Sequence, residues 1–328
     1  TLTQTLIGTA LDISGDIDVD GTSNLDIIDV DGAANFAADV TIATGADIIT
    51  ASAGTSNVRI GVNAGDAINS GATFNVFVGD ESGTALASGD YNTAVGYQSL
   101  ESEIGGQSST AIGYRALYAQ NTSNDNNNTA VGRSAGLSIT SGTNNTLIGG
   151  LCGDALTDAD NNVALGNSAL GADTLGSRST ALGRSALGTQ NFTSATNTYN
   201  VAVGYNAAAA VSTGVENTIL GGLAGDALTT GNENTAVGLS SIGADTKGKK
   251  SVAVGWGTLT NQNFTSATDA HNTAVGYAAG NDITTGLENT LIGSNSGDAL
   301  TDADFNVALG HRALTTDTKG SRSTAIGY

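Results

Sequence analysis

Two histidines, His271 and His311, and one cysteine, Cys152, are the only imidazole and thiol groups in the 328-residue chain. Neither histidine has a serine and a carboxylate placed to build a triad, and a single cysteine supports neither a disulfide framework nor a Cys-ligated zinc site. Paired carboxylates flanking a cleft, which glycoside hydrolysis needs, are not recognisable. Asp16, Asp18, Asp20 and Gly21 open like a calcium loop, but Ile27 stands where the twelfth-position acid belongs. Asp158 and Asp160, with their counterparts Asp302 and Asp304, read as turn residues. No catalytic residue, metal site or cofactor is therefore expected, and the chain reads as a non-enzyme.

What remains is a set of large side chains at one recurring place. Tyr97, Tyr114, Arg133, Arg184, Tyr205, Trp256, Tyr277, His311 and Tyr328 each follow a glycine directly. Tyr and Trp offer rigid amphipathic area to a sugar or a partner protein. Tyr97, Tyr114, Tyr205, Trp256 and Tyr277 are accordingly the candidate ligand-binding residues, with shielding of a backbone corner as the structural role open to the same letters. Gly150, Asn167, Gly222 and Leu239 interrupt the series. Arg178, Lys247, Lys249, Lys250, Lys319 and Arg322 follow Asp173, Asp245 and Asp317 in turns and read as exposed ion pairs.

The element that must position this series is a repeat. A pentamer of the form Asn/Ser-Thr/Val-Ala-Val/Ile/Leu-Gly ends at Gly96, Gly113 and Gly132 and continues to Gly327, with looser copies ending at Gly61 and Gly79. Eleven of the fifteen intervals are 17 residues, and Gly132, Gly204 and Gly276 are 72 apart, so the coils come in groups of four. Intervals of 19, 21 and 21 residues fall in the fourth coil, where the polar stretches Asn121–Asn128, Gln190–Tyr199 and Gln262–His271 lie. Each pentamer alternates like a strand. The spacing predicts Thr93 and Val95 inward and Ala94 outward, with the small Ala letting another surface approach.

Three places after each corner glycine the residue is always small, as at Ala64, Ser82, Cys152 and Thr258, which implies a slot of fixed volume and a packing role for Cys152. One place further, the first two coils of a group carry Gly or Ala and the last two Leu or Ile. The Gly and Ala coils then supply an aliphatic three residues later, such as Ile139, Leu156, Val211 and Leu228, where the Leu coils carry Glu, Gln or Asp. Close-packed interiors are filled once and not twice. The compensation predicts a continuous narrow core with one aliphatic plug per coil.

The fold class expected is all-β: a parallel β-solenoid of about sixteen 17-residue coils over residues 57–328, preceded by a short β-rich shaft or neck over 1–56. In the shaft, Ile17-Asp18-Val19-Asp20-Gly21 recurs as Ile28-Asp29-Val30-Asp31-Gly32. A formal charge of −20 argues against nucleic acid and anionic lipid as partners, and no apolar run is long enough to insert in a membrane. The sequence reads as a fragment of a longer fibre.

The Asn-Thr-Ala-Val-Gly and Ser-Thr-Ala-Ile-Gly units, each followed by a small residue three places on, resemble the head repeats of trimeric autotransporter adhesins, which are also found in phage tail fibres. The resemblance covers residues 57–328. It implies a left-handed β-roll, a homotrimer, an extracellular location and a surface-adhesive role toward a glycan or protein receptor. The Asp-Val-Asp-Gly shaft is more similar to phage fibre shafts than to bacterial stalks. The reading favoured is a virion tail-fibre segment acting as spacer and host-contact element, with a bacterial surface adhesin head as the alternative.

Overall fold

The computed structural model describes residues 53–328, so the shaft expected over 1–56, save its end, and the Asp16–Gly21 loop lie outside the described residues. Sixteen three-residue strands, from Val58–Ile60 to Thr324–Ile326, form one sheet in chain order. Neighbouring strands run parallel and keep one register throughout, Thr93 beside Thr110, Ala94 beside Ala111, Val95 beside Ile112. The described residues contain no helix. The chain is a parallel β-solenoid of sixteen coils. Two further two-stranded parallel sheets, Gly176–Ser177 with Thr196–Asn197 and Gly248–Lys249 with Thr268–Asp269, form beside the longer fourth-coil loops.

The strand faces are reversed from the expectation. Ala94, Ala111 and Ala130 are fully buried, whereas Thr93 and Val95 are only half-buried and Ile112 is exposed. The reason is width. The plug enters from the opposite wall, and the space left at the sheet accepts one methyl per coil. Branched side chains on both inward positions would overfill it. The Thr/Val and Val/Ile/Leu positions therefore face out.

The second coil of each group departs from this rule. Its central strand residue is Phe77, Leu147, Ile219 or Leu291, each buried completely. Around Leu147 room comes from glycine on two coils: a Cβ on Gly153 would sit 2.8 Å from Leu147 Cδ2, and one on Gly136 3.0 Å from Leu147 Cδ1; around Ile219 the glycine is Gly225 and the earlier coil carries Ala208. The glycines thus serve the bulky strand residue as well as the plug of their own coil.

The plugs themselves are where the spacing places them. Ile139, Leu156, Val211, Leu228, Leu170, Leu187 and Leu259 are buried, as is every residue of the small slot from Ala64 to Ala313. Leu170 holds its place at φ +53°, the backbone conformation Gly153 adopts at φ +54° in the same coil position. A left-handed residue costs about 1–2 kcal/mol, less than or comparable to the about 1.5–3 kcal/mol gained by burying leucine. Corner glycines are closed in: a Cβ on Gly96 would lie 2.7 Å from the Gly113 carbonyl oxygen.

A buried amide ladder runs beside the sheet. Asn217 donates from its backbone N–H and Nδ2 to Asn200 Oδ1 at 2.9 and 3.3 Å, and Asn234 does the same to Asn217 at 3.1 and 3.2 Å. Each Nδ2 also satisfies a turn carbonyl, as Asn200 does with Gly214 at 2.7 Å. This meets the demand that buried polar groups be paired.

Candidate interaction surface

The corner residues stand in the row the spacing implies, and all five candidates are exposed. Four of the rings stack in pairs along the solenoid. Trp256 and Tyr277 have centroids 4.9 Å apart and planes 9° apart, and Tyr97 and Tyr114 are 5.8 Å and 24° apart. Tyr205 lies against the Arg184 guanidinium, 5.7 Å from its centroid. One face of each ring is thus already occupied. The stacked faces are closed to a sugar and cover the corner. The Glu81 carboxylate beside Tyr97 raises that hydroxyl's pKa.

A second row went unrecognised in the sequence. The residue before each buried Asn or Ser has positive φ in every coil, from Ser56 at +58° to Arg322 at +60°. Phe74 and Tyr91 stack at 5.4 Å, and Arg178 Nη1 donates to the Tyr199 hydroxyl at 2.7 Å with its guanidinium over the ring. Arg322 covers Phe305 in the same way. The signal lay in aligning this column at the period of the pentamer. Its letters are too mixed to show otherwise.

Between the two rows the sheet turns a double column of side chains outward. Val163, Leu165, Ile148, Leu220, Ile292, Val307 and Leu309 are exposed there, Leu165 at 50%. One column of this face is aliphatic throughout, and the other mixes threonine with valine. No pocket is present among the described residues.

The ion pairs differ from the sequence reading. Asp173 and Asp245 are buried and bonded to neutral groups. Lys250 pairs with Asp269 at 2.7 Å and Lys319 with Asp302 at 3.6 Å. Both pairs are exposed and contribute little. His311 stacks on Tyr328, and no group of three His, Cys, Asp or Glu side chains converges among the described residues. Cys152 fills the small slot, its Sγ 3.2 Å from the Ala164 carbonyl oxygen, and burial pushes its thiol up to about 12. No helix of the described residues is long and apolar enough to cross a membrane.

The fold and surface define a β-solenoid repeat protein whose outward sheet face carries one column of threonine and valine and one of aliphatics. No family model matches the chain, and no curated protein or solved structure matches it.

Proposed function

We propose that this chain is a segment of an extracellular fibre in which three parallel copies close their outward sheet faces on a common axis. The observation that carries the reading is the double column of Thr/Val and Val/Ile/Leu side chains running through all sixteen strands. At about 4.8 Å per coil the column is roughly 75 Å long. Taken about 10 Å wide, it amounts to roughly 750 Å² per chain, shared on a threefold axis between two neighbours at about 375 Å² each, below the about 800 Å² per partner of a standard pairwise interface, so the three contacts must close together. Constant register supports like-with-like packing, since each copy offers the same column at the same height. The face that packs is the Thr/Val–Val/Ile/Leu face, and the alanines expected on the axis lie inside each coil.

The biochemical role is mechanical: a stiff spacer that holds a host-contact element away from a virion surface, as in a phage tail fibre. The corner row adds repeated weak contacts to a cell-surface glycan or protein through its hydroxyls and ring edges, where avidity counts for more than single-site affinity. Sedimentation equilibrium tests the assembly. The chain should run as a trimer of 32.3 kDa subunits. Leu165→Glu with Leu309→Glu should shift it to smaller species with the circular dichroism of the solenoid retained. A wild-type monomer, or a trimer indifferent to both glutamates, refutes the packing face.

A further inference from the structure

Three carboxylates are buried completely in the solenoid: Glu103, Asp173 and Asp245. They occupy the position that plugs such as Leu86, Leu156 and Leu228 hold one coil earlier, always in the coil preceding a long fourth-coil loop. An uncompensated charge is costly inside a protein, so these sites need an account.

All of their partners are donors. Asp173 Oδ1 accepts the backbone N–H groups of Gly176 and Phe192, both at 3.1 Å, and Oδ2 accepts Gln190 Nε2 at 2.5 Å. Asp245 repeats the set with Gly248 at 2.9 Å, Phe264 at 3.1 Å and Gln262 at 2.6 Å. Glu103 accepts Gly106, Thr122, Gln120 Nε2 and Asn126 Nδ2. The facing groups are the buried plug of the coil before, Leu156, Leu228 or Leu86, and the neutral glutamine of the coil after. No hydrogen bond or ion pair described for the three carboxylates involves a charged group.

The amide ladder gives these bonds a direction. Asn200 Nδ2 donates to Gln190 Oε1 at 2.8 Å, Asn217 donates to Asn200, Asn234 to Asn217, and the Ser251 N–H to Asn234. Every amide dipole in the run points its donor toward Asp173, and such chains reinforce one another. The group ending at Asp245 is built likewise through Gln262, Asn272, Asn289 and Asn306. Turning the Gln190 amide would set its Nε2 against Asn200 Nδ2, donor against donor, so the ladder keeps the Gln190 donor on Asp173 Oδ2.

The loops beyond depend on the same atoms. Phe192 and Phe264 are nearly buried, and the backbone N–H of each is fastened to the carboxylate. We propose that Glu103, Asp173 and Asp245 are latches that hold the long fourth-coil loops closed, so that loss of one carboxylate frees its own loop, baring Phe192 at Asp173 or Phe264 at Asp245, while the sixteen-stranded sheet stays intact. The latch stands apart from the assembly reading, because it lies inside each chain.

Amide hydrogen exchange on the full chain at about pH 7 tests it by comparing the wild type with Asp173→Ala and Asp245→Ala. Protection of the Phe192 amide should fall at least about tenfold in Asp173→Ala, and that of the Phe264 amide in Asp245→Ala, the equivalent of losing one hydrogen bond, while the Gly183 and Gly204 amides at the strand ends hold. Each variant should leave the other loop protected. Unchanged loop protection overturns the latch, as does loss of loops and strands together.

Discussion

Replacing Leu170 separates two energies that usually act together. The side chain is wholly buried and sits at φ +53°. Leu170→Ala deletes the plug and leaves a cavity, a loss of about 2–5 kcal/mol, while the left-handed strain remains because alanine carries a Cβ. Leu170→Gly removes the same plug and releases about 1–2 kcal/mol of strain. In a right-handed helical position glycine would be worse than alanine by about 1 kcal/mol. Here the order should invert, with glycine milder. Supplying an aliphatic at Asp173 should not rescue the glycine variant: Asp173→Leu leaves Gly176 N–H, Phe192 N–H and Gln190 Nε2 without their acceptor, at about 1–3 kcal/mol for each unsatisfied donor. Urea titration followed by circular dichroism ranks the three variants. If Leu170→Gly is less stable than Leu170→Ala, or if the double variant recovers stability, the reasoning fails.

Two further measurements probe other parts of the chain. The Cys152 thiol, pushed up to about 12 from a usual 9.0 by burial, should resist alkylation in the folded protein at pH about 8.5 and react once urea unfolds it. Because its proton is held more tightly when folded, its stabilising contribution is complete below the unfolded value and is lost as pH rises from there toward the folded one; reaction at the rate of a free thiol in the folded state refutes the slot. A double-mutant cycle with Trp256→Ser and Tyr277→Ser should show coupling of about 0.5–1.5 kcal/mol from ring stacking, and zero coupling by thermal melt refutes the stacked row.

Periodicity made the fold legible, because a 17-residue interval can be read without knowing where any side chain points. The plug compensation was legible for the same reason: aliphatics exchange places along the chain at constant total volume. Strand orientation was not, since Thr-Ala-Val alternates equally well with either face inward. Only the width of the coil decides between them. The carboxylates at Asp173 and Asp245 looked like solvated turn residues beside lysine and arginine, and nothing in the local letters reveals that an amide ladder waits to bond them. The row through Tyr199 and Phe305 was hidden by its mixed composition, although its positive φ is as regular as that of the glycines.

The bulky strand residue in the second coil of each group has a consequence for length. Leu147 fits only because glycine stands at that coil and the one before it, and Asp173 is paired only because Gln190 lies on the next coil. Removing one coil from a group would bring unlike layers together, a buried aliphatic against a leucine or a carboxylate without its amide. Removing four restores every neighbour. The solenoid can therefore be lengthened or shortened by duplication or deletion in steps of 72 residues, each worth about 19 Å at about 4.8 Å per coil. It is a ruler with a fixed graduation, whose reach can vary between otherwise identical solenoids without any contact having to be reinvented.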